Sequence, residues 1–172
     1  EVAPHADEGL FRAFEEMRFA VRSFENVFFR ELDPALPVRP VHEAPAGLVI
    51  ERVDPSDERA VREYSTVAMS GFYPSDAPPA EENYATSARV VRAPRVHCFV
   101  ARVDGRVVGA GGMEVDPPAC GLFGLSTLAE FRRRGVQQAL IAARLNHACA
   151  LGARLATIGS RPGVATERNV RR

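Results

Sequence analysis

The sequence predicts an α/β (α+β) domain in which helices flank a mixed, mostly antiparallel central sheet. From residue 48 onward the predicted order is strand, helix, helix, three strands, helix, strand, and a mixed sheet is the simplest closure of that order. Asp104 and Gly105 form the strongest two-residue hairpin signal, so the strands beside them are expected to be antiparallel. The 172 residues, 46% hydrophobic and 26% charged, suffice for one core and exclude a disordered tail or a membrane protein.

The first 47 residues predict three short elements and a linker. Residues 7–17 carry their apolar side chains on one helical face. The aromatic and β-branched runs 19–23 and 26–30 are typical of two paired strands. Four prolines then break the pattern between residues 33 and 47, which indicates a Pro-rich linker.

The later elements each have a local signal. Alternating polarity indicates the first strand, Asp57 ends a capping segment for the next helix, and Gly152 stops the longest helix. The predicted strands are 48–53, 97–103, 106–115, about 119–128 and 154–159, the helices are about 58–69, 80–92 and 136–151, and a proline-rich loop covers 71–79.

The two halves of the chain differ in charge although the formal net charge is zero. Residues 1–86 carry eight Arg and 17 acidic residues, whereas residues 87–172 carry 14 Arg and five acidic residues, so the second half is expected to attract an anion. All 22 basic residues are Arg, which is typical of a GC-rich bacterial genome. A phosphate would have to be bound by guanidinium or backbone N–H groups, since no Lys can form a P-loop.

Several function classes have no signal. The widely spaced Cys98, Cys120 and Cys149 predict buried thiols rather than a zinc or redox motif, and the scattered histidines predict no metal. No apolar stretch approaches the roughly 18 residues of a spanning helix, and charges interrupt the first 30 residues, where a signal peptide needs an apolar block. A cytoplasmic location is therefore expected.

The segment from Leu125 to Leu140 combines a strand end, a basic loop with one glycine and the start of an amphipathic helix. Such a junction leaves backbone N–H groups at the positive end of the helix dipole, which suits a pyrophosphate. Gly135 allows close backbone approach and residues 132–134 add three positive charges. A solvated or helix-capping Arg cluster is the alternative, and the position between strand and helix favours the anion site.

On these residues the sequence resembles the GCN5-related N-acetyltransferase (GNAT) family, over residues 48–172. The family motif Arg/Gln-x-x-Gly-x-Gly/Ala binds the pyrophosphate of acetyl-CoA, and residues 132–137 match it except that Gln137 takes the last position. The resemblance implies the acyl-CoA N-acyltransferase fold and direct acetyl transfer from acetyl-CoA to a primary amine. The cofactor-binding residues that it implies are Leu125, Ser126, Thr127, Leu128, Arg132, Arg133, Arg134, Gly135, Val136, Gln137, Gln138 and Asn169.

The resemblance also implies a set of candidates for chemistry. An alkylamine with a pKa of about 10 must lose a proton before it attacks, and Glu114 is the predicted base, with Asp116 and Glu130 as further acidic candidates. Solvation or an ion pair with Arg is the alternative for each. Backbone N–H groups near Leu125 to Thr127 would stabilise the oxyanion, Ser126 would orient the thioester, and Tyr73 would line the amine pocket.

Two departures from the family affect how the chain is divided. Members normally continue after the position of Asn169 with a Tyr that protonates the departing thiolate, but Val170 stands there. Residues 1–32 resemble the tail of a preceding acetyltransferase-like repeat, which could be degenerate. The chain is thus interpreted as a repeat tail (1–32), a Pro-rich linker (33–47) and an N-acetyltransferase domain (48–172) whose last strands are missing.

Two other functions compete with acetyl transfer. A degenerate domain could bind acyl-CoA or a protein partner as a regulatory module without turnover, which the absent Tyr and Gln137 favour. Nucleic-acid binding is disfavoured because the Arg residues are dispersed and no recognition motif is present. The expected partner is a small-molecule or peptide amine, with no nucleic acid or membrane; a homodimer is left open.

Overall fold

The computed structural model describes residues 3, 6–72, 80–164 and 167. A single 3-10 turn, Ala129–Phe131, separates the fifth strand from the last helix. The helices are α1 (Glu8–Glu16), α2 (Glu58–Ser70), α3 (Glu81–Val91) and α4 (Val136–Ala150), and the strands are β1 (Asn26–Glu31), β2 (Val49–Arg52), β3 (Val96–Val103), β4 (Arg106–Asp116), β5 (Ala119–Thr127) and β6 (Leu155–Ser160).

The six strands form one sheet in the order β1-β6-β5-β4-β3-β2. β2 to β5 are antiparallel neighbours, β5 and β6 are parallel, and β1 lies antiparallel to β6 at the edge. The prediction of a mixed, mostly antiparallel sheet flanked by helices is therefore confirmed.

Helices cover both faces of this sheet. α4 packs on one face, where Met113, Val136 and Leu140 lie in the larger core. α2 and α3 pack on the other, where Val61 and Tyr64 belong to a second core. Both faces of the sheet are apolar, and the helices on each face remove them from water.

The predicted hairpin at Asp104 and Gly105 joins β3 to β4. Asp104 has φ 49° and Gly105 has φ 79°, so both central residues lie in the left-handed region. A type I′ hairpin turn requires two such residues, and its twist matches that of the flanking strands.

One predicted strand is wrong. Residues 19–23 form no strand and do not pair with residues 26–30; β1 pairs with β6 instead, with Phe28 opposite Ile158. Phe19 and Val21 are 66% and 76% exposed, so neither side chain belongs to a core in the described part of the chain. Local β-propensity cannot form a strand where no neighbouring strand supplies hydrogen bonds.

The predicted linker has neither helix nor strand, but it is not detached from the domain. Val38 and Asn146 exchange two hydrogen bonds, from Val38 N to Asn146 Oδ1 at 2.8 Å and from Asn146 Nδ2 to Val38 O at 2.9 Å. The chain therefore runs along α4 on its way from β1 at one edge of the sheet to β2 at the other.

The cysteines are all free thiols. Cys98 and Cys120 are buried and Cys149 is half-buried. Burial raises the pKa of the Cys98 thiol to about 11, which keeps it protonated and unreactive. In the described part of the chain no helix is both long and apolar enough to cross a membrane.

Candidate functional site

A bulge lies at the centre of β4 and β5. Gly112 faces Phe123 and Ala110 faces Ser126, so one residue of β4 opposes two residues of β5 between these pairs. Gly124, one of those two, has φ 59°. A bulge of this kind bends the strand and re-aims the residues that follow it.

β5 also separates from β6 near the bulge. The parallel pairing of β5 with β6 ends at Leu122 and Ile158. The residues from Phe123 to Thr127 therefore have β4 on one side and, within the described part of the chain, no strand on the other. Peptide groups on that side are placed to bond an extended ligand, as a neighbouring strand would.

The predicted cofactor strand, Leu125 to Leu128, begins at the bulge and ends at the basic loop. Ser126 is buried, and its Oγ lies 3.2 Å from Ser70 Oγ at the end of α2. Ser70 donates its own proton to the Val67 carbonyl at 2.7 Å, so Ser126 donates to Ser70. The hydroxyl of Ser126 is thus oriented toward the α2 end of the site.

The basic loop has two residues in left-handed conformation, Arg133 with φ 62° and Gly135 with φ 78°. Arg132 Nε donates to the Thr127 carbonyl at 3.1 Å, which ties the loop to the cofactor strand. The guanidinium of Arg134 lies 5.5 Å from the centre of the Phe131 ring. All three Arg side chains are exposed, and no carboxylate forms a salt bridge with any of them in the described residues.

The start of α4 is not closed by a side chain. Gly135 is the N-cap residue, and no side chain among the described residues caps the helix. The first turn therefore keeps the positive partial charge of its backbone N–H groups next to three guanidinium groups. This arrangement is suited to a doubly charged anion such as a pyrophosphate.

Residues 38–44, named here the α4 strap, cover one side of this helix start. Gln138 Oε1 accepts from Val41 N at 3.0 Å and from His42 N at 3.2 Å. A Cβ on Gly135 would lie 2.5 Å from the carbonyl oxygen of Glu43. Gln138, a predicted cofactor contact, thus holds the α4 strap, and an anion can approach the helix start only from the other sides.

A groove of about 270 Å³ lies between the α4 strap, α4 and the outer strands. It extends from Gln138 in the first turn of α4 to Leu122 and Ile158, where β5 and β6 separate. Of the predicted site residues that the structure describes, it is lined by Gln138 alone. Its apolar walls, which include Ile141 and Leu145, are suited to the alkyl and amide portions of a long cofactor.

The structure does not bring the predicted base near this site. Glu114 lies four residues along β4 from Ala110, about 13 Å at 3.3 Å per residue, and forms a salt bridge of 2.8 Å with Arg95. Asp116 binds the same guanidinium at 2.7 Å. Glu130 is paired with Arg106 at 2.7 Å, and a backbone hydrogen bond together with that Arg lowers the pKa of its carboxyl.

Two other predicted residues, Tyr73 and Asn169, lie outside the described residues, as does Val170. Sequence reasoning also missed Ser70 and Tyr64. Tyr64 is buried, and its hydroxyl oxygen lies 2.9 Å from the position that a Cβ on Gly112 would take. No local pattern marked either residue, because α2 reaches the bulge only through tertiary packing.

A histidine pair lies away from the site, between β3 and α4. His147 Nε2 is 3.4 Å from His97 Nδ1. Burial lowers the pKa of both imidazoles. The charge of Arg52 lowers both pKa values further, and His97 also lowers the pKa of His147. No group of three or more metal-ligating side chains occurs among the described residues.

We expect this pair to make stability depend on pH below the ordinary histidine pKa of 6.5. The unfolded chain binds these protons at higher pH than the folded chain, so the free energy of unfolding falls as the pH drops from 6.5 through the folded pKa values. Urea unfolding at pH 7.0 and 5.5 measures the loss, and His147→Gln should reduce it. An equal loss in the variant would contradict this role.

The family model described as "Acetyltransferase (GNAT) family" matches residues 58–164. Sequence comparison with curated proteins gave no match. The family match covers α2 through β6, which includes the bulge, the basic loop and the whole of α4.

Three solved structures are similar to the chain in fold. A GCN5-related N-acetyltransferase from Kribbella flavida is 21% identical with a TM-score of 0.62, over 91% of this chain and 56% of that chain. AAC(6')-Iy, solved with the bisubstrate analogue CoA-S-monomethyl-acetylneamine, is 20% identical with a TM-score of 0.59, over 72% and 86%. A ribosomal-protein-alanine N-acetyltransferase from Brucella melitensis is 16% identical with a TM-score of 0.57, over 72% and 86%.

Proposed function

Because the chain belongs to the acetyltransferase (GNAT) family, we propose that it transfers the acetyl group of acetyl-CoA directly to a primary amine. The observation that carries the proposal is the uncapped start of α4 beside three exposed guanidinium groups. Acetyl-CoA supplies the activated acetyl group as a thioester and the pyrophosphate that this site would hold.

The chain's own residues would hold the cofactor at three places. The N–H groups at the start of α4, from Gly135 to Gln138, would receive the pyrophosphate together with the guanidinium groups of residues 132–134. The backbone from Leu125 to Leu128, which β6 leaves unpaired, would bond the pantetheine arm. Asn169, beyond the described residues, would add a polar contact.

Two groups would act on the reacting atoms. Backbone N–H groups beside Ser126 would stabilise charge on the thioester carbonyl, and the Ser126 hydroxyl, held toward Ser70, would orient it. Glu114 could accept the amine proton only through a chain of water molecules, given its pairing with Arg95. Removal of the Ser126 hydroxyl should therefore lower turnover more than removal of the Glu114 carboxylate.

The acceptor would bind at the α2 end of the site. Gly71 lies against Ser126, with 2.8 Å between Ser126 Oγ and the position of a Cβ on Gly71, and the predicted 71–79 loop with Tyr73 follows. The acidic first half of the chain favours a cationic amine. AAC(6')-Iy is named an aminoglycoside N-acetyltransferase and the Brucella protein a ribosomal-protein-alanine N-acetyltransferase, so aminoglycosides and protein amines both belong in the assay.

A regulatory module that binds acyl-CoA without turnover is the alternative. The α4 strap favours it, because Glu43 and Gln138 limit access to the helix start. Release of CoA with any member of a panel of amines would reject this alternative. Binding of acetyl-CoA without CoA release across antibiotic, polyamine and peptide amines would support it.

We expect acetyl-CoA to stabilise the protein by about 2.7 kcal/mol at 100 times its dissociation constant, measured by thermal shift. Arg133→Gln/Arg134→Gln should raise that dissociation constant about tenfold or more, since a charge-assisted hydrogen bond contributes about 1.5–3 kcal/mol. The matched control is Arg89→Gln, an exposed Arg on α3 across the sheet. Equal affinities for the double variant and the control would reject the anion site.

The division of the chain is also a proposal. We infer that residues 1–32 are the tail of a preceding acetyltransferase-like unit and that 48–172 form the N-acetyltransferase domain. α1 has no buried residue, and Phe24, Val27 and Phe29 are 66–75% exposed. An intact mass from the native source equal to that of the 172 residues would contradict this division.

A further inference from the structure

Arg144 is the one charged residue in the buried class among those the structure describes, and its side chain is fully buried on α4. Its hydrogen-bond acceptors are backbone carbonyl oxygens. Nη1 donates to Gly112 O at 2.7 Å and to Phe123 O at 3.3 Å, and Nε donates to Leu140 O at 3.2 Å. Nη2 has no hydrogen-bond partner among the described residues.

No carboxylate compensates this charge in the described part of the chain. Burial lowers the pKa of Arg144 to about 10, so the guanidinium is still charged at neutral pH. Taking a cation out of water with no anion beside it is costly, and the carbonyl dipoles that Arg144 binds offset only part of that cost. Stability alone therefore does not explain the presence of Arg144.

The two strand carbonyls that Arg144 binds define its position. Gly112 and Phe123 face each other as the last regular pair before the bulge. The pairing of β5 with β6 also ends there, at Leu122. Arg144 thus joins β4 to β5 at the place where β5 leaves both regular ladders and the cofactor strand begins.

The sequence of β4 makes room for this contact. A Cβ on Gly111 would lie 3.0 Å from Cζ and from Nη1 of Arg144, and 3.1 Å from Leu125 Cδ1. Gly111 is the β4 residue inside the bulge. A glycine at the bulge therefore lets the guanidinium lie against the backbone that it holds.

We propose that Arg144 is a positioning residue for acetyl transfer: its guanidinium binds the Gly112 and Phe123 carbonyls and fixes the bulge that aims the backbone of Leu125 to Thr127 at the thioester. This inference rests on the proposed function, since it assigns a role in the cofactor strand. Arg144 acts on the cofactor only through the backbone that it orients.

The test compares Arg144→Met, Arg144→Lys and Gly111→Ala with Val115→Ala, a core substitution on β4 outside the bulge. Arg144→Met should fold with a melting temperature close to that of the wild type, because the lost hydrogen bonds are offset by the desolvation cost that disappears with the charge. It should nevertheless show a KM for acetyl-CoA about tenfold higher and a lower kcat. Arg144→Lys should restore part of both. Gly111→Ala, which displaces the guanidinium and keeps its charge, should raise KM in the same way.

A purely structural role predicts a different pattern. Val115→Ala should lower the melting temperature with little change in KM, and the same pattern in the Arg144 and Gly111 variants would overturn the proposal. So would wild-type kinetics in a stable Arg144→Met. If Arg144→Met does not fold, Arg144→Lys and Gly111→Ala decide by the same comparison.

A readout without ligand separates this inference from the proposed function. The backbone amide NMR shifts of Gly112, Gly124 and Ser126 should change in Arg144→Met and not in Val115→Ala. If the wild type does not bind acetyl-CoA, the proposed function is wrong, while those shifts still test whether Arg144 fixes the bulge. Unchanged shifts in a protein that does bind acetyl-CoA would reject the role of Arg144 alone.

Discussion

Gly135→Val should abolish measurable acetyl-CoA binding and lower the stability of the protein. Gly135 has φ 78°, a conformation that costs a β-branched residue about 1–3 kcal/mol. A Cβ there would also lie 2.5 Å from the carbonyl oxygen of Glu43, so the α4 strap would have to move. The same side chain would stand in front of the first turn of α4, where the pyrophosphate is proposed to bind.

Gly105→Val is the matched control for this prediction. Gly105 has φ 79° and no atom lies within 4 Å of its Cβ position, so this variant has the backbone strain without the clash. Asn146→Ala is a second control, because it loosens the α4 strap at Val38 and leaves the basic loop intact. Calorimetric titration with acetyl-CoA should show binding by both controls; wild-type affinity in a folded Gly135→Val would contradict the site.

Leu140→Ala should lower the free energy of unfolding by about 2–5 kcal/mol, the range for a fully buried Leu. Leu140 is completely buried, and its Cδ1 lies 3.0 Å from where a Cβ on Gly109 would stand. The side chain fills the space above a glycine of β4, so little can collapse into the cavity. Because Leu140 fixes α4 on the sheet, acetyl-CoA affinity should fall as well.

Urea unfolding with a shared m-value measures this loss. Leu36→Ala is the control: Leu36 is 70% exposed, so the same chemical change should alter stability by no more than about 0.5 kcal/mol. A loss below about 1 kcal/mol for Leu140→Ala would mean that α4 does not rest on Gly109 as the structure has it.

Much of the fold could be predicted because its signals are local. The Asp104–Gly105 turn, the Asp57 cap and the long helix that ends near Gly152 each depend on residues close in sequence. Asp57 accepts hydrogen bonds from the N–H groups of Arg59 and Ala60, as a cap should. The basic loop could be found for the same reason, since strand, loop and helix start follow one another directly.

Features that depend on residues far apart in the sequence have no local signal. The 19–23 run has strand-like residues, but among the described residues no strand lies beside it. β1 pairs instead with β6, more than 120 residues further along the chain. Glu114 and Asp116 were chosen by their position along a strand, but both carboxylates form salt bridges with Arg95, which directly precedes β3. Opposite charges at an exposed strand end pair with their neighbours wherever the fold brings them.

The sequence by itself determined the class of fold, the family and the uncapped, Arg-rich start of α4, because each depends on order and spacing along the chain. Only the tertiary structure decided that residues 38–44 would lie against Gly135, that Ser70 would meet Ser126, and that Arg144 would hold the bulge. Those contacts join residues 21 to 108 positions apart, and they form only when helices and sheet pack to exclude water.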